Sequence, residues 1–408
     1  MRICFVSRRY WPAVSGMSVY AENLLRELVA LGHDVTLVSQ YRDDEAGTRV
    51  YGGGTPPVHR VPEGVRVVAR PSRGETVVPA DFEGDVQDLV DTVVALHAEQ
   101  PFDVLHAQYG YPPGLAVLEA SRRTGLPNVV SIQGGDGHWV GTCCTTHKAA
   151  ITTVLDHAGA VLIGSASFRD EVVGHHGTEV DLFRIVPGAT DTQRFSPSLR
   201  PLGSLQDPPV LLFHGRVDRR KGVLDLLDAV ERMRARGRRL RLVVSGIGPD
   251  LDEVTGLATD GTELTGYCTP DDAPDVYRTA DVFVSPTYSE GFSNTVLEAM
   301  ASGLPAVSTN SVGVIDCLRH DDNGLLHEPG DVEGLVAQLC RLLDDPTLRA
   351  RLATTALEEV RRLYSWPVLA QSISEVYVEL AGTAPDQAWS LPDGVDPSCR
   401  FRAAPHLL

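Results

Sequence analysis

The sequence is poor in lysine and in basic charge generally. Lysine occurs only twice in 408 residues, at Lys148 and Lys221, although lysine and arginine together number 36. Acidic residues number 54, which gives a formal net charge of -18. Nucleic-acid binding needs clustered cations to neutralise phosphates, and docking on anionic lipid needs a basic surface. The charge balance therefore argues against both kinds of partner.

Long apolar runs and paired cysteines are also missing. No run reaches the roughly eighteen apolar residues of a membrane span, and residues 1–11 lack the apolar core of a secretory signal. The seven cysteines are scattered and form no C-x-x-C pair, so we expect reduced thiols in a cytoplasmic protein. Cys143 and Cys144 lie beside His147, but adjacent cysteines rarely chelate one ion well. We therefore expect no metal site.

Short runs rich in Val and Ile alternate with amphipathic stretches along the chain. The runs lie at 3–7, 35–39, 65–69, 103–107, 128–132 and 160–164, and again, after a proline-rich stretch at 195–209, at 210–214, 240–245, 282–286 and 305–309. This alternation predicts parallel sheets wound by right-handed crossovers. We predict two doubly wound, Rossmann-like α/β domains at 1–198 and 199–365, which face each other across a ligand-binding cleft. A helix at 366–381 is predicted to cross back to the first domain, and the tail at 382–408 to be poorly ordered.

The dinucleotide fingerprint G-x-G-x-x-G does not follow the first strand. The closest match, GIGPD at 246–250, lacks the third glycine, so nicotinamide chemistry has little support. The first strand instead leads into a loop in which Gly16 and Ser18 lie at the mouth of a helix. Backbone N–H groups there can bind an anion, and an ordinary loop is the alternative.

A basic loop, HGRVDRRKG at 214–222, follows the first strand of the second domain. The forked guanidinium of Arg216 and the compact ammonium of Lys221 could share a diphosphate. The alternative is a solvated basic loop, which is how we interpret Arg219 and Arg220. Because only two of the 36 basic residues are lysines, a lysine at this position indicates that its shape is used.

A second motif, SEGFSNTVLEAM at 289–300, follows the strand at 282–286. Ser293 or Asn294 is predicted to cap a helix that begins near Thr295. Free N–H groups at such a helix start can bind hydroxyls or a phosphate. Glu290 and Glu298 could both face the cleft, although a glutamate pair at this spacing is by itself more typical of a solvated face.

These motifs together resemble the retaining glycosyltransferases with the GT-B fold that use nucleotide sugars, the group that contains sucrose synthase, bacterial mannosyltransferases and many antibiotic glycosyltransferases. The resemblance covers about residues 1–380 and is carried by G-R-x-x-x-x-K-G at 215–222, G-x-G-P at 246–249 and the E-x7-E run from Glu290 to Glu298. It implies that Arg216 and Lys221 hold the donor diphosphate, that Glu290 contacts the sugar and that Glu298 binds the ribose. Further donor contacts are implied for Gly16, Gln133, Gly215, Tyr267, Phe292, Ser293, Asn294 and Thr295.

The resemblance also implies an activity. A sugar would pass from a nucleoside diphosphate, with UDP favoured, to a hydroxyl of a small polar acceptor, without metal or cofactor. A role in antibiotic or other secondary-metabolite biosynthesis is one expectation. Acceptor contacts are expected in the loops 109–114 and 133–146. The DLD at 250–252 is expected to be surface rather than the D-x-D of a metal-dependent transferase.

Two positions depart from the family pattern. The first-domain loop reads Ser15-Gly16 where many members have two glycines, and Gln133 stands where many have a histidine. Glutamine cannot shuttle a proton. The family's favoured mechanism passes that proton to a donor phosphate oxygen, so no protein base is required. Two alternatives stay open: a nucleotide-sugar epimerase on the same fold, and a non-catalytic auxiliary protein that keeps the donor pocket.

Overall fold

The computed structural model describes residues 1–10, 16–41, 60–392 and 394–405. They divide into two compact units, one of Met1–Val186 with Leu369–Leu408 and one of Pro187–Val368. The second unit thus begins before the boundary that we placed after residue 198. Among the described residues, no helix has both the length and the apolar content to cross a bilayer.

Thirteen strands and thirteen α-helices are present in the described ranges. The strands are β1 (Arg2–Ser7), β2 (Asp34–Tyr41), β3 (Val65–Pro71), β4 (Val104–Gln108), β5 (Asn128–Ile132), β6 (Ala160–Ile163), β7 (Phe183–Ile185), β8 (Val210–His214), β9 (Arg241–Ser245), β10 (Thr262–Gly266), β11 (Val282–Ser285), β12 (Ala306–Thr309) and β13 (Leu325–His327). The helices are α1 (Gly16–Ala30), α2 (Phe82–Glu99), α3 (Leu115–Thr124), α4 (Thr145–His157), α5 (Ala166–His176), α6 (Val223–Ala235), α7 (Leu251–Leu257), α8 (Ala273–Arg278), α9 (Asn294–Ala301), α10 (Val332–Asp344), α11 (Pro346–Leu363), α12 (Trp366–Leu380) and α13 (Arg400–Ala403). Short helical turns occur at Gly74–Thr76, Gly110–Gly114, Asp136–Val140 and Arg219–Lys221.

Each unit contains one parallel sheet. The first has the order β3-β2-β1-β4-β5-β6-β7 and the second the order β10-β9-β8-β11-β12-β13. In the first sheet Ile3 pairs with Val35 on one side and Val104 on the other. The direction of winding reverses between β1 and β4 and again between β8 and β11. Ligands of open parallel sheets bind beyond the strand ends at such reversals, so these positions place the candidate site.

Both faces of the second sheet are covered, which explains its continuous apolar strands. Leu211 and Phe213 belong to one buried cluster, together with residues of α6 and α10. Val210 and Leu212, from the same strand, belong to a second cluster with residues of α9. Successive side chains of a strand point to opposite faces, so each strand needs apolar residues at every position.

The sequence pattern did not reveal three strands. β7 and β13 have only three residues, and β10 alternates half-buried and exposed positions. All three lie at sheet edges, where one side of the strand has no neighbour to bury it. Short or half-exposed edge strands lack the apolar run that identifies a central strand.

The tail is more ordered than we expected. Phe401 and Arg402 are buried, and the Arg402 guanidinium donates a 2.8 Å hydrogen bond to the Ala80 carbonyl and pairs with Glu83. The Ala80 N–H donates in turn to the Arg402 carbonyl at 2.9 Å. Phe401 and Arg402 thus pack within the first unit, whereas Leu391, Val395 and Arg400 of the same tail are exposed.

Candidate functional site

The loops after β8 and β9 are joined by backbone hydrogen bonds. The Gly215 N–H donates to the Ser245 carbonyl at 2.9 Å, and the Val217 N–H donates to the Ile247 carbonyl at 3.0 Å. Gly246 has a φ of +146°, and a Cβ built there would lie 1.8 Å from the Gly215 carbonyl oxygen. Only glycine allows this approach, which explains the G-x-G-P motif. The joined loops fix the backbone on either side of Arg216.

Arg216 is partly exposed and lies beside a buried carboxylate. Its Nε is 3.5 Å from Asp218 Oδ2, and 42% of its side chain is exposed, against 4% for Asp218. Asp218 also accepts hydrogen bonds from the backbone and guanidinium of Arg220. Burial disfavours the charged form of Asp218, but the hydrogen bonds from Arg220 outweigh it and lower the pKa. The sequence did not suggest this role for Asp218, which holds the basic loop together.

Lys221 contacts Glu290 across the reversal between β8 and β11. Its Nζ lies 2.7 Å from Glu290 Oε2, and 32% and 18% of the two side chains are exposed. Gly222 ends the turn Arg219–Lys221 with a φ of +71°, and a Cβ there would lie 1.9 Å from the Pro286 carbonyl oxygen. The Tyr288 N–H donates to the Arg220 carbonyl at 2.9 Å. These backbone contacts bring the two predicted residues together.

The start of α9 carries buried polar atoms without partners. Ser293 occupies the N-cap position, but its side chain makes no capping hydrogen bond, and the helix begins at Asn294. Ser293 is thus at the predicted N-cap position and the helix begins one residue before Thr295, but the expected capping hydrogen bond from its side chain is not formed. Ser293 Oγ and Asn294 Oδ1 are both buried and have no hydrogen-bond partner among the described residues. Buried polar atoms normally have partners, so this helix start has unused capacity for a polar ligand.

Other residues of the motif at 289–300 are also closely packed. A Cβ at Gly188 would lie 2.0 Å from Asn294 Oδ1 and 2.7 Å from Phe292 Cδ1, so the loop at 187–190 packs directly on the motif. The Ser293 N–H interacts with the Cys317 thiol. This N–H, which we expected to contact a sugar, therefore already has a protein partner. Thr295 is partly exposed beside it.

Glu298 lies one helical turn further into α9. Its Oε2 accepts a 2.7 Å hydrogen bond from the hydroxyl of Tyr277, which also reaches the Thr295 carbonyl at 3.2 Å. Burial raises the pKa of Glu298 to about 7. The side chain nevertheless keeps some exposed surface. No local sequence signal marked Tyr277 as its partner.

Tyr267 follows the edge strand β10 and has 44% of its surface exposed. It is the least enclosed of the predicted donor contacts in the second unit. An exposed aromatic ring at a strand end can stack on a nucleobase.

In the first unit, Gln133 belongs to a hydrogen-bonded chain at the ends of β1, β4 and β5. Ser7 donates to Gln108 Oε1 at 2.8 Å, and Gln108 Nε2 donates to Gln133 Oε1 at 3.0 Å and to the Met17 carbonyl at 2.9 Å. The carbonyl of the Gln133 side chain is thus occupied, which leaves its amide nitrogen to donate. Gly16 begins α1, is exposed and has no atom within 4 Å of a Cβ built there. Ser15 lies outside the described residues.

The two loops that we predicted to contact an acceptor are joined by Asp136. This buried carboxylate accepts hydrogen bonds from the backbone N–H groups of Gly110, Gln133 and Gly134 at 2.8, 3.0 and 2.9 Å. Burial raises its pKa. Tyr109, just before Gly110, has a φ of +97°, a strained conformation for a bulky residue. Such strain concentrates at binding sites, and here a carboxylate secures it.

His138 does not replace the missing histidine. It is buried, and its Nδ1 lies 2.6 Å from Glu171 Oε1, on the neighbouring α5. The Glu171 carboxylate orients the ring within the first unit.

Both units match known families. Residues 15–189 match the glycosyl transferase 4-like domain, and residues 208–345 match the glycosyl transferases group 1. The chain is 26% identical over 409 residues to a glycogen synthase of Mycobacterium tuberculosis, which covers 93% of this chain and 94% of the relative. It is 29% identical over 399 residues to a D-inositol 3-phosphate glycosyltransferase of Stackebrandtia nassauensis, with coverages of 89% and 86%.

Solved structures show the same fold. Sucrose-phosphate synthase of Thermosynechococcus elongatus superposes with a TM-score of 0.76 at 21% identity, covering 93% of this chain and 98% of that one. Alr3699/HepE of Anabaena, solved with UDP, superposes with a TM-score of 0.73 at 19% identity and coverages of 93% and 100%. The prediction of a GT-B fold with two Rossmann-like domains is confirmed.

Proposed function

The chain belongs to the glycosyltransferases with the GT-B fold, and from this premise we propose that it transfers a sugar, with retention of configuration, from a UDP-sugar to a hydroxyl of a small polar acceptor. The observation that carries the proposal is the contact of Lys221 Nζ with Glu290 Oε2 at 2.7 Å, at the winding reversal of the second sheet. It joins two of the three motifs that carry the family resemblance.

The donor diphosphate is proposed to lie against Arg216 and Lys221. Both are partly exposed, so their charges can reach a ligand. As the glycosidic bond breaks, negative charge develops on the departing diphosphate, and a fixed cation stabilises it. Removing one such group typically raises a barrier by ~2.7–4 kcal/mol. These two cations supply the positive charge that Mg²⁺ provides elsewhere, so we propose transfer without added Mg²⁺ or cofactor.

The sugar and ribose are proposed to lie along the start of α9. Ser293 Oγ and Asn294 Oδ1 are buried without partners in the described chain, so the hydroxyls of a sugar would satisfy them. Glu290 is proposed to contact the sugar, and Glu298 the ribose. Tyr277 already donates to one oxygen of Glu298, which supports an acceptor role for the remaining lone pairs.

The choice of UDP and of a small acceptor rests on the relatives. Alr3699/HepE of Anabaena was solved with UDP and with UDP-glucose. Several relatives that are 27–29% identical are named for D-inositol 3-phosphate, a small polar molecule. A net charge of -18 also disfavours an anionic lipid surface as the acceptor.

The proposed chemistry needs no protein base. The acceptor oxygen attacks the anomeric carbon from the face that the diphosphate leaves. The bond from that carbon to the diphosphate oxygen breaks, and the acceptor proton passes to a phosphate oxygen of the departing UDP. Glu290, paired with Lys221, would orient the sugar. Gln133, which cannot shuttle a proton, is compatible with this route.

The test is to incubate the full chain with UDP-glucose and a panel of polyols and polyol phosphates, and to measure UDP release and the anomeric configuration of the product. We expect UDP release that depends on the acceptor and a product with the donor's configuration. An inverted product would overturn the retaining mechanism. An isomeric UDP-sugar formed without acceptor would identify the epimerase, and donor binding without turnover on any acceptor would identify the auxiliary protein.

A further inference from the structure

We infer that the first unit contains a structural Zn²⁺ site formed by Cys143, Cys144, His147 and Cys399, which fastens the C-terminal tail to the start of α4. Cys143 and Cys144 lie at the end of the loop 133–146 that we expect to contact the acceptor, and none of the four ligands is given a chemical role in the proposed transfer. The test of this site is independent of glycosyl transfer.

The four side chains converge on one point. Their ligand atoms all lie within 4.8 Å of one another. Cys143 Sγ is 3.8 Å from Cys144 Sγ and 3.7 Å from Cys399 Sγ. His147 Nδ1 is 3.1 Å from Cys143 Sγ and 3.5 Å from Cys399 Sγ. Three sulfurs and one imidazole nitrogen thus face one another.

Three of these separations match a tetrahedral zinc site. A Zn–S bond of about 2.3 Å implies sulfurs about 3.8 Å apart around a tetrahedral ion. A Zn–N bond of about 2.0 Å shortens the sulfur-to-nitrogen edge to about 3.5 Å. The two sulfur separations from Cys143 and the 3.5 Å edge from Cys399 to His147 fit these values, and the edge from Cys143 to His147, at 3.1 Å, is shorter. Three thiolates with one imidazole are a ligand set that selects zinc, and four protein ligands make a closed, structural site.

The backbone holds the ligands from two distant parts of the chain. Cys144 is the N-cap of α4, and its sulfur accepts the His147 N–H at 3.4 Å. Cys399 is the N-cap of α13 and lies 252 residues after His147. The Asp396 N–H donates to Thr146 Oγ1 at 2.7 Å, a second tie between the same segments.

The imidazole is buried and lies among aromatic rings. His147 and Cys399 are buried, and Cys143 and Cys144 are half-buried. The His147 ring lies 4.7 Å from that of Tyr111 and 5.6 Å from that of Phe82. Nε2 of His147 has no hydrogen-bond partner in the described chain, so the polar contacts of the ring are on the Nδ1 side, toward the sulfurs.

The sequence argued against this site because it offered only two adjacent cysteines and one histidine. Cys399 supplies a third sulfur, and it is too distant in the sequence for any local spacing to indicate it. A disulfide between Cys143 and Cys399 is the competing arrangement, since their sulfurs are 3.7 Å apart. A disulfide would not account for the convergence of Cys144 and His147 on the same point.

The experiment measures metal content and cobalt spectra. The full chain and its Cys399→Ser and Cys340→Ser variants are purified without chelator, and zinc is measured by elemental mass spectrometry. Cys340 is half-buried in the second unit and serves as the matched control. We expect about one zinc per chain in the native protein and in the control. Loss of even an outer-shell partner weakens metal binding about 10–100-fold, so loss of a ligand should leave Cys399→Ser with little zinc.

A second measurement uses the native chain, so it does not depend on whether a variant folds. Zinc is removed and Co²⁺ added, and we expect intense thiolate-to-cobalt charge-transfer absorption with the visible bands of tetrahedral Co²⁺. Cys144→Ser should weaken the charge-transfer band. A native chain that carries no zinc and gives no thiolate band with Co²⁺ overturns the inference. So does a Cys143–Cys399 disulfide found by peptide mapping of protein whose thiols were blocked at lysis.

Discussion

Replacing Lys221 by alanine should separate activity from stability. The ammonium is 2.7 Å from the Glu290 carboxylate, and 32% and 18% of the two side chains are exposed. Partly solvated ion pairs contribute at most about 1 kcal/mol to stability, so Lys221→Ala should fold nearly as well as the native chain. Loss of a cation at a departing diphosphate should instead slow transfer about 10²- to 10³-fold.

Three variants together distinguish the effect of the Lys221 charge from that of its shape and from a general effect on the loop. Lys221→Arg keeps the charge but replaces a compact ammonium by a broad guanidinium, so its rate should fall between those of the native chain and Lys221→Ala. Arg219→Ala is the matched control in the same loop. Arg219 pairs with Asp250 and Glu253, and 61% of its side chain is exposed. Its removal should leave transfer unchanged.

The assays are UDP release at saturating donor, calorimetric affinity for UDP, and urea denaturation. Two results would refute the reasoning. Transfer at the native rate by Lys221→Ala would remove Lys221 from the donor site. A fall in stability of several kcal/mol with the rate lost in proportion would make Lys221 a structural residue only.

Three further predictions concern groups whose environment the structure defines. Burial raises the pKa of Glu298 from 4.5 to about 7, so its ionised form destabilises the fold. The free energy of unfolding should fall from about pH 4.5 to about pH 7 and level off above, and Glu298→Gln should flatten this change in urea titrations. Gly246→Ala should lower the free energy of unfolding by at least about 2 kcal/mol, because its Cβ would lie 1.8 Å from the Gly215 carbonyl oxygen. Gly256→Ala is the control: a Cβ there has no atom within 4 Å, so this variant should be neutral or stabilising. Thermal melting measures both. By the same measurement, Asp136→Ala should lower the free energy of unfolding by about 3 kcal/mol or more, because three backbone N–H groups lose their acceptor. A loss below about 1 kcal/mol would contradict this account.

Strands could be predicted from the sequence where they are buried on both faces, because such strands have an unbroken run of apolar residues. β1 and β8 are examples, with the runs ICFV and VLLF. β10 could not be predicted in the same way, because Glu263 and Thr265 on this edge strand are exposed. The pattern reports burial, and an edge strand is only half buried.

The sequence allowed each motif of the site to be predicted, but not which side chains contact one another. Lys221 and Glu290 follow β8 and β11, which are neighbours only because the winding reverses between them. The strand-end rule therefore placed both residues in one region. Tyr277, the partner of Glu298, lies on a different helix and carries no motif, so only the fold could reveal it.

The most direct test of the central claim is stabilisation of the native chain by UDP, GDP and TDP, measured by urea denaturation in zinc-containing buffer without chelator. UDP at 100 times its dissociation constant should add about 2.7 kcal/mol to the free energy of unfolding. The account predicts this gain for UDP, a smaller gain for GDP and TDP, and its loss in Lys221→Ala. If no nucleoside diphosphate stabilises the native chain, the second unit does not hold a nucleotide-sugar donor, and the account is contradicted.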